Sequence, residues 1–266
     1  MAAGVTSPVR ARIPARTLRT DRWWVEPSVT AAVLLAFVVY ATFRAFWGKY
    51  YFAEPYLTPF YSPCITDECV EGSSHLGTPI PDFLPSPFSS PAVIILIIPL
   101  SLRLTCYYYR KAYYRSIWAS PPACAVAEPH RSYSGETRFP LILQNIHRYA
   151  LYVALAYNVL LFYDAVLTFR HADGEWGHMG LGSLIFVTNA ILLAFYSFSC
   201  HSCRHIVGGQ LRHFSKHPIR YRTWKFVSKL NARHAQIAWV SLVFVAFTDF
   251  YVWMVASGTF SDPRFF

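Results

Sequence analysis

Charge is scarce in this chain: 14% of the 266 residues are Asp, Glu, Lys or Arg, while 54% are hydrophobic. A soluble domain carries roughly 25% charged residues, so such a surface is too poor in charge to face water, and the apolar content excludes disorder. Cysteine is sparse too, at six in the whole chain, which excludes a small secreted scaffold stapled by disulfides. No Gly-rich phosphate loop, Gly-x-Ser-x-Gly elbow or His-Glu-x-x-His pair is present. The usual nucleotide-binding, serine-hydrolase and zinc-protease signatures are thereby missing. The arginine-rich start lacks a small-residue cleavage site, so the first apolar segment is expected to be retained as a helix. What remains is an integral membrane protein.

A bilayer core needs roughly 20 mostly apolar residues in a helix. Segments 29–47, 92–109, 146–169, 180–203 and 234–257 qualify, with Pro99 an expected kink in the second. The expected fold is all-α, five transmembrane helices in one bundle. Lys and Arg are lopsided, 24 against 14 acidic residues, and 20 of the 24 fall in 1–28, 103–148 and 201–233. By the positive-inside rule the N-terminus is cytoplasmic and the C-terminus outside. The basic balance then needs no nucleic acid. Residues 1–28 form a basic cytoplasmic segment and 29–266 the membrane domain. That domain has a long outer loop, 48–91, and two basic inner loops, 110–145 and 206–233. In the outer loop Cys64 and Cys69 are spaced for a disulfide in an oxidising compartment, with a metal pair as the other reading. Arg44 and Arg103, near span ends, are expected to snorkel toward water. Asn158, Asp164, Asn189 and Asp249 lie deeper and should face the bundle interior as packing or proton-path groups.

With this topology, Cys106, His147, Cys200, Cys203 and His234 all fall at the inner ends of helices. In a continuous helix Cys200 and Cys203 share one face, and His201 and His205 another. Two thiolates and two imidazoles, from Cys200, Cys203, His147 and His234, suit tetrahedral Zn²⁺ or a Rieske-type [2Fe–2S] cluster. Cys106, His201 and His205 are substitute ligands. A bis-histidine haem b on His147 and His234 is the alternative, since a second haem near the outer face would have only His171 and His178. The spacing His201-x-x-x-His205 and His213-x-x-x-His217 also has a weak likeness to membrane di-iron, lipid-modifying enzymes. A quinone needs an apolar slot with a few polar groups. Tyr108, Arg148, Tyr149, Arg204, His205 and Trp224 stand near the inner boundary as candidates.

The outer Tyr56-Leu-Thr-Pro-Phe-Tyr-Ser-Pro-Cys64, the segment Ser86-Pro-Phe-Ser-Ser-Pro91 and the inner Cys200-His-Ser-Cys-Arg-His205 are similar to actinobacterial succinate dehydrogenase membrane subunits. The resemblance runs from about residue 20 to the C-terminus. It implies an anchor in the cell membrane that passes electrons to quinone, with a Rieske-type cluster in the place of haem. It implies flavoprotein and iron–sulfur subunits as partners, membrane lipid around the chain and a possible higher oligomer. The inner basic residues would be the docking face. Succinate itself would be oxidised elsewhere in the complex.

Overall fold

The computed structural model describes residues 19–81, 85, 88–129, 138–139, 141–170 and 174–265. His171 and the Ser86–Pro87 part of the second motif lie outside them. Four helical stretches are long and apolar enough to cross a membrane: Val25–Trp47, Ile142–Leu167, Leu181–Phe198 and His234–Ala256. Lipid asks for apolar residues on every side of such a helix, and internal backbone bonding satisfies the peptide groups. The first of them is α1, Val25–Trp47, closed by Gly48 in a left-handed conformation at φ 68°. That backbone suits glycine and ends the helix.

The second expected span is broken. It consists of α2 (Pro91–Ile95), α3 (Ile97–Thr105) and α4 (Tyr107–Ser116). The expected kink at Pro99 is corrected: the sharp turn is at Cys106, whose backbone is extended at ψ 132°, and the two arms meet at 73°. Pro99 sits within the first turn of α3, where its missing N–H has no helical partner to lose. The fourth expected span also stops short of 203. Helix α6 covers Leu181–Phe198, Cys200 is extended at ψ 143°, and α7 restarts over His201–Gly208. Helices α5 (His147–Leu167), α8 (Pro218–Asn231) and α9 (His234–Ala256) complete the chain. The bundle core forms where α6 packs on α5 and α9, and α3 packs on α5. Part of the 206–233 segment is helical, and Trp224 of α8 packs so closely on α7 that a Cβ at Gly208 would stand 2.1 Å from its ring.

The end opposite Cys106 is capped by the 48–91 segment. Strands β1 (Phe52–Ala53) and β2 (Tyr56–Leu57) form a short antiparallel hairpin. Tyr51 and Tyr61 stack at 4.1 Å, and Cys64 and Cys69 are joined in the expected disulfide. The closed loop is short, so replacing both cysteines by serine should cost roughly 2 kcal/mol by the loop-entropy relation, read as a lower thermal midpoint in detergent. Tyr56 lies over Gly182 of α6, where a Cβ would meet the phenol ring at 2.5 Å. Its hydroxyl donates to Asp262 Oδ2 at 2.6 Å and meets His178 Nε2 at 3.0 Å. Burial, then the hydrogen bond to Asp262, pushes this phenol well above its ordinary pKa, so it remains a donor.

Neither arginine near a span end snorkels. Arg44 is fully buried and Arg103 is 7% exposed, which corrects the expectation of heads in water. Arg44 Nε donates to Asp249 Oδ2 at 2.7 Å, and Tyr40 and Thr58 donate to the same carboxylate at 2.5 and 2.6 Å. Asp164 faces inward as expected, holding Ser62 on one oxygen and His75 Nδ1 at 2.7 Å on the other. Asn158 donates to Ser197 at 2.9 Å, and Asn189 is buried.

Candidate functional site

The two helix breaks face each other at one end of the bundle. An extended residue between two helical arms points its side chain where a continuous helix could not. Cys106 and Cys200 occupy those positions. Cys106 Sγ lies 3.4 Å from His234 Nε2, and Cys200 Sγ lies 2.9 Å from His147 Nε2. All three cysteines Cys106, Cys200 and Cys203 belong to one buried cluster. The helical-face relation of Cys200 and Cys203 does not apply, because Cys200 precedes α7 as its cap.

Hydroxyl groups fix the tautomers of both histidines. Thr105 donates its single hydroxyl proton to Ser101 O at 2.7 Å, so at 2.8 Å it must accept the Nδ1–H of His147. Ser199 donates to Tyr196 O at 3.0 Å and accepts the Nδ1–H of His234 at 2.6 Å. Each imidazole is left with an Nε2 lone pair aimed at a cysteine sulfur. Metal-ligating histidines are oriented in this way, with the far nitrogen tied to a partner that fixes ring and tautomer. A bis-histidine haem instead asks the two Nε2 atoms to face each other across a porphyrin. Among the described residues, no group of three or more His, Cys, Asp or Glu side chains is placed to hold a metal ion.

Around this centre the aromatic residues are close. Tyr196 stacks on His234 at 5.3 Å with 5° between the planes, and Tyr108 lies 5.2 Å from His234 and stacks on His201 at 6.2 Å. His201 is exposed beyond the Tyr108 ring. On its other side Tyr108 lines a cavity of about 460 Å³ with Trp23, Lys111, Arg115 and Trp239.

The remaining quinone candidates are scattered. Arg148 Nη2 contacts His205 Nδ1 at 2.6 Å on the exposed surface. Arg204 donates to Ser228 at 2.9 Å and lies over Trp224, which stacks with Phe214. Tyr149 is 70% exposed. Only Tyr108 of the six borders the thiol–imidazole site. His213 and His217 are exposed. Cys106 was a substitute ligand in the sequence reading, while Arg103 was expected at the surface and Tyr196 carried no sequence signal.

The profile of the actinobacterial succinate dehydrogenase subunit SdhC matches residues 25–258. A chain of the Mycobacterium smegmatis Sdh1 complex in its apo form is similar at 58% identity, with both chains covered over 100% of their length and a TM-score of 0.88. No curated protein matches the chain. With the profile covering nearly all of a helical, membrane-spanning chain, this protein belongs to the actinobacterial succinate dehydrogenase membrane-subunit family.

Proposed function

We propose that this subunit anchors a succinate:quinone oxidoreductase in the plasma membrane and passes electrons to quinone through a Rieske-type [2Fe–2S] cluster. The observation that supports it is the pair of ligand-ready imidazoles, each with Nε2 against a thiol and Nδ1 tied to a hydroxyl. Two sulfur and two nitrogen donors are the set that a Rieske-type centre uses. Cys106, Cys200, His147 and His234 would hold it, so Cys106 takes the place the helical-face argument reserved for Cys203. When bound, the cluster supplies a one-electron carrier whose potential is raised by its imidazoles. Thr105 and Ser199 keep the two rings turned inward, and Leu102, Leu151 and Leu242 pack the surrounding core and exclude water.

A quinone head group would enter the cavity that Tyr108 lines, whose wall also carries Arg19, Asp21, Arg22 and Glu26. Trp23 and Trp239 supply flat apolar walls, while Tyr108, Lys111 and Arg115 supply polar groups for the carbonyls. Tyr108 lines this cavity and also lies against His201 and His234. The substitution Tyr108→Ala should raise the quinone KM about tenfold, the equivalent of one lost contact of roughly 1.4 kcal/mol, with succinate oxidation by a soluble acceptor unchanged.

Orientation is part of the same proposal. The positive-inside count puts the Cys106 end in the cytoplasm, where the flavoprotein and iron–sulfur subunits would dock on α4, α7 and α8. From residue 176 to 248 no Asp or Glu occurs, so the inner α7–α8 surface is basic without internal acidic partners. Iron and acid-labile sulfide analysis of the purified complex, with EPR of the reduced sample, tests the cluster. The expected result is a [2Fe–2S] signal of Rieske type beyond the centres of the iron–sulfur subunit. A strong haem b absorbance with no sulfide excess would instead support the haem-carrying anchor.

A further inference from the structure

Two arginines are buried in this bundle, and their surroundings differ. Arg44 has a carboxylate, Asp249. Arg103 has none. Its Nη1 donates to Tyr109 Oη at 2.7 Å and Ala238 O at 3.3 Å, and its Nη2 donates to Ser241 Oγ at 3.2 Å. Its Cζ lies 4.6 Å from the Tyr196 ring centroid and 5.7 Å from that of Tyr109. Every one of these partners is neutral. Among the described residues the acidic side chains of the bundle interior, Asp164 and Asp249, are held by other groups.

A guanidinium does not shed its proton, and an unpaired buried ion carries a penalty of several kcal/mol. Hydrogen bonds and ring faces offset only part of that. Cys106 is three residues away on the chain, and its backbone N–H bonds Arg103 O at 3.1 Å. Tyr196 touches both sides, since the ring beneath Arg103 is the ring stacked on His234. Cysteine binds metal as thiolate, so occupation of the site places negative charge beside this cation.

We infer that Arg103 is the built-in counter-cation of the thiol–imidazole site and tunes the potential of the cluster held there. The inference rests on the cluster reading above. Two ferric ions, two sulfides, two thiolates and two neutral imidazoles cancel to zero net charge. One added electron leaves a single negative charge, which a fixed cation stabilises. Arg103 therefore favours the reduced form and raises the midpoint potential. It acts as a positioning and tuning group and holds no metal.

The test is an EPR-monitored redox titration of the whole complex carrying Arg103→Gln. The reduced-to-oxidised ratio at a given ambient potential should fall at least about tenfold, a downward shift of about 59 mV for a one-electron couple. Arg103→Lys should stay near the parent value, because the charge is retained. If Arg103→Gln does not assemble, Ser241→Asp supplies a carboxylate where Nη2 now meets a hydroxyl, and should shift the potential the same way. A cluster present at parental iron and sulfide content with an unmoved midpoint in the measurable variant overturns the inference. Absence of the extra sulfide and EPR signal from the parent complex overturns the cluster reading itself, a different result.

Discussion

Replacing Asp249 by alanine should cost about 3–5 kcal/mol, the scale found when one partner of a buried ion pair is removed. Arg44 would then be left at 0% exposure with only the Lys49 and Tyr50 carbonyls, at 3.0 and 3.2 Å, and the Trp47 and Trp253 rings around it. Tyr40 and Thr58 would lose their acceptor at the same time. Because Thr58 belongs to the capping segment and Arg44 to α1, the single carboxylate ties α1, the cap and α9 together. Thermal unfolding of the detergent-extracted complex should show the loss. The pair Arg44→Met with Asp249→Leu should recover most of it, since neither ion then remains in the core. A stable Asp249→Ala subunit would mean that water or lipid reaches this site.

Removing a ligand should have the largest effect on function. In Cys106→Ala or His234→Ala complexes the extra iron and sulfide should be absent and quinone reduction should fall to background. Succinate oxidation by a soluble dye should persist, because that chemistry belongs to the partner subunits in the proposed assembly. Cys203→Ala should keep the cluster, since no imidazole faces that sulfur. Retention in Cys106→Ala with loss in Cys203→Ala would reverse the ligand choice. Ser199→Ala removes only the acceptor for His234 Nδ1 and should weaken metal retention by about 10–100-fold.

The membrane helices and the disulfide were legible in the sequence, because lipid length and cysteine spacing impose strong local patterns. Four of the five expected spans appear as continuous helices, the fourth ending at Phe198 and not at 203, the second is broken at Cys106, and Cys64 pairs with Cys69. His147, His234, Cys106 and Cys200 share one membrane depth in the sequence, which does not say which of them touch. The ligand pairing was not legible. Helical periodicity presumes an unbroken helix, and neither Thr105-Cys-Tyr107 nor Ser199-Cys-His201 contains a proline or glycine to announce a break. The burial of Arg44 and Arg103 was hidden for a related reason. A charge near a span end is read as snorkelling unless its partner, 205 residues away for Asp249, is known to be opposite.

The two breaks have a consequence beyond aiming side chains. Cys106 stands at the first turn of α4 and Cys200 at that of α7, where Ser202 N–H already points to the Cys200 sulfur at 3.3 Å. The start of a helix carries the positive end of its macrodipole. At Cys200 the interruption thus turns an N-terminal N–H of α7 toward sulfur, while Cys106 stands at the start of α4 without a side-chain cap hydrogen bond. A straight pair of helices bearing the same four donors would lack that field.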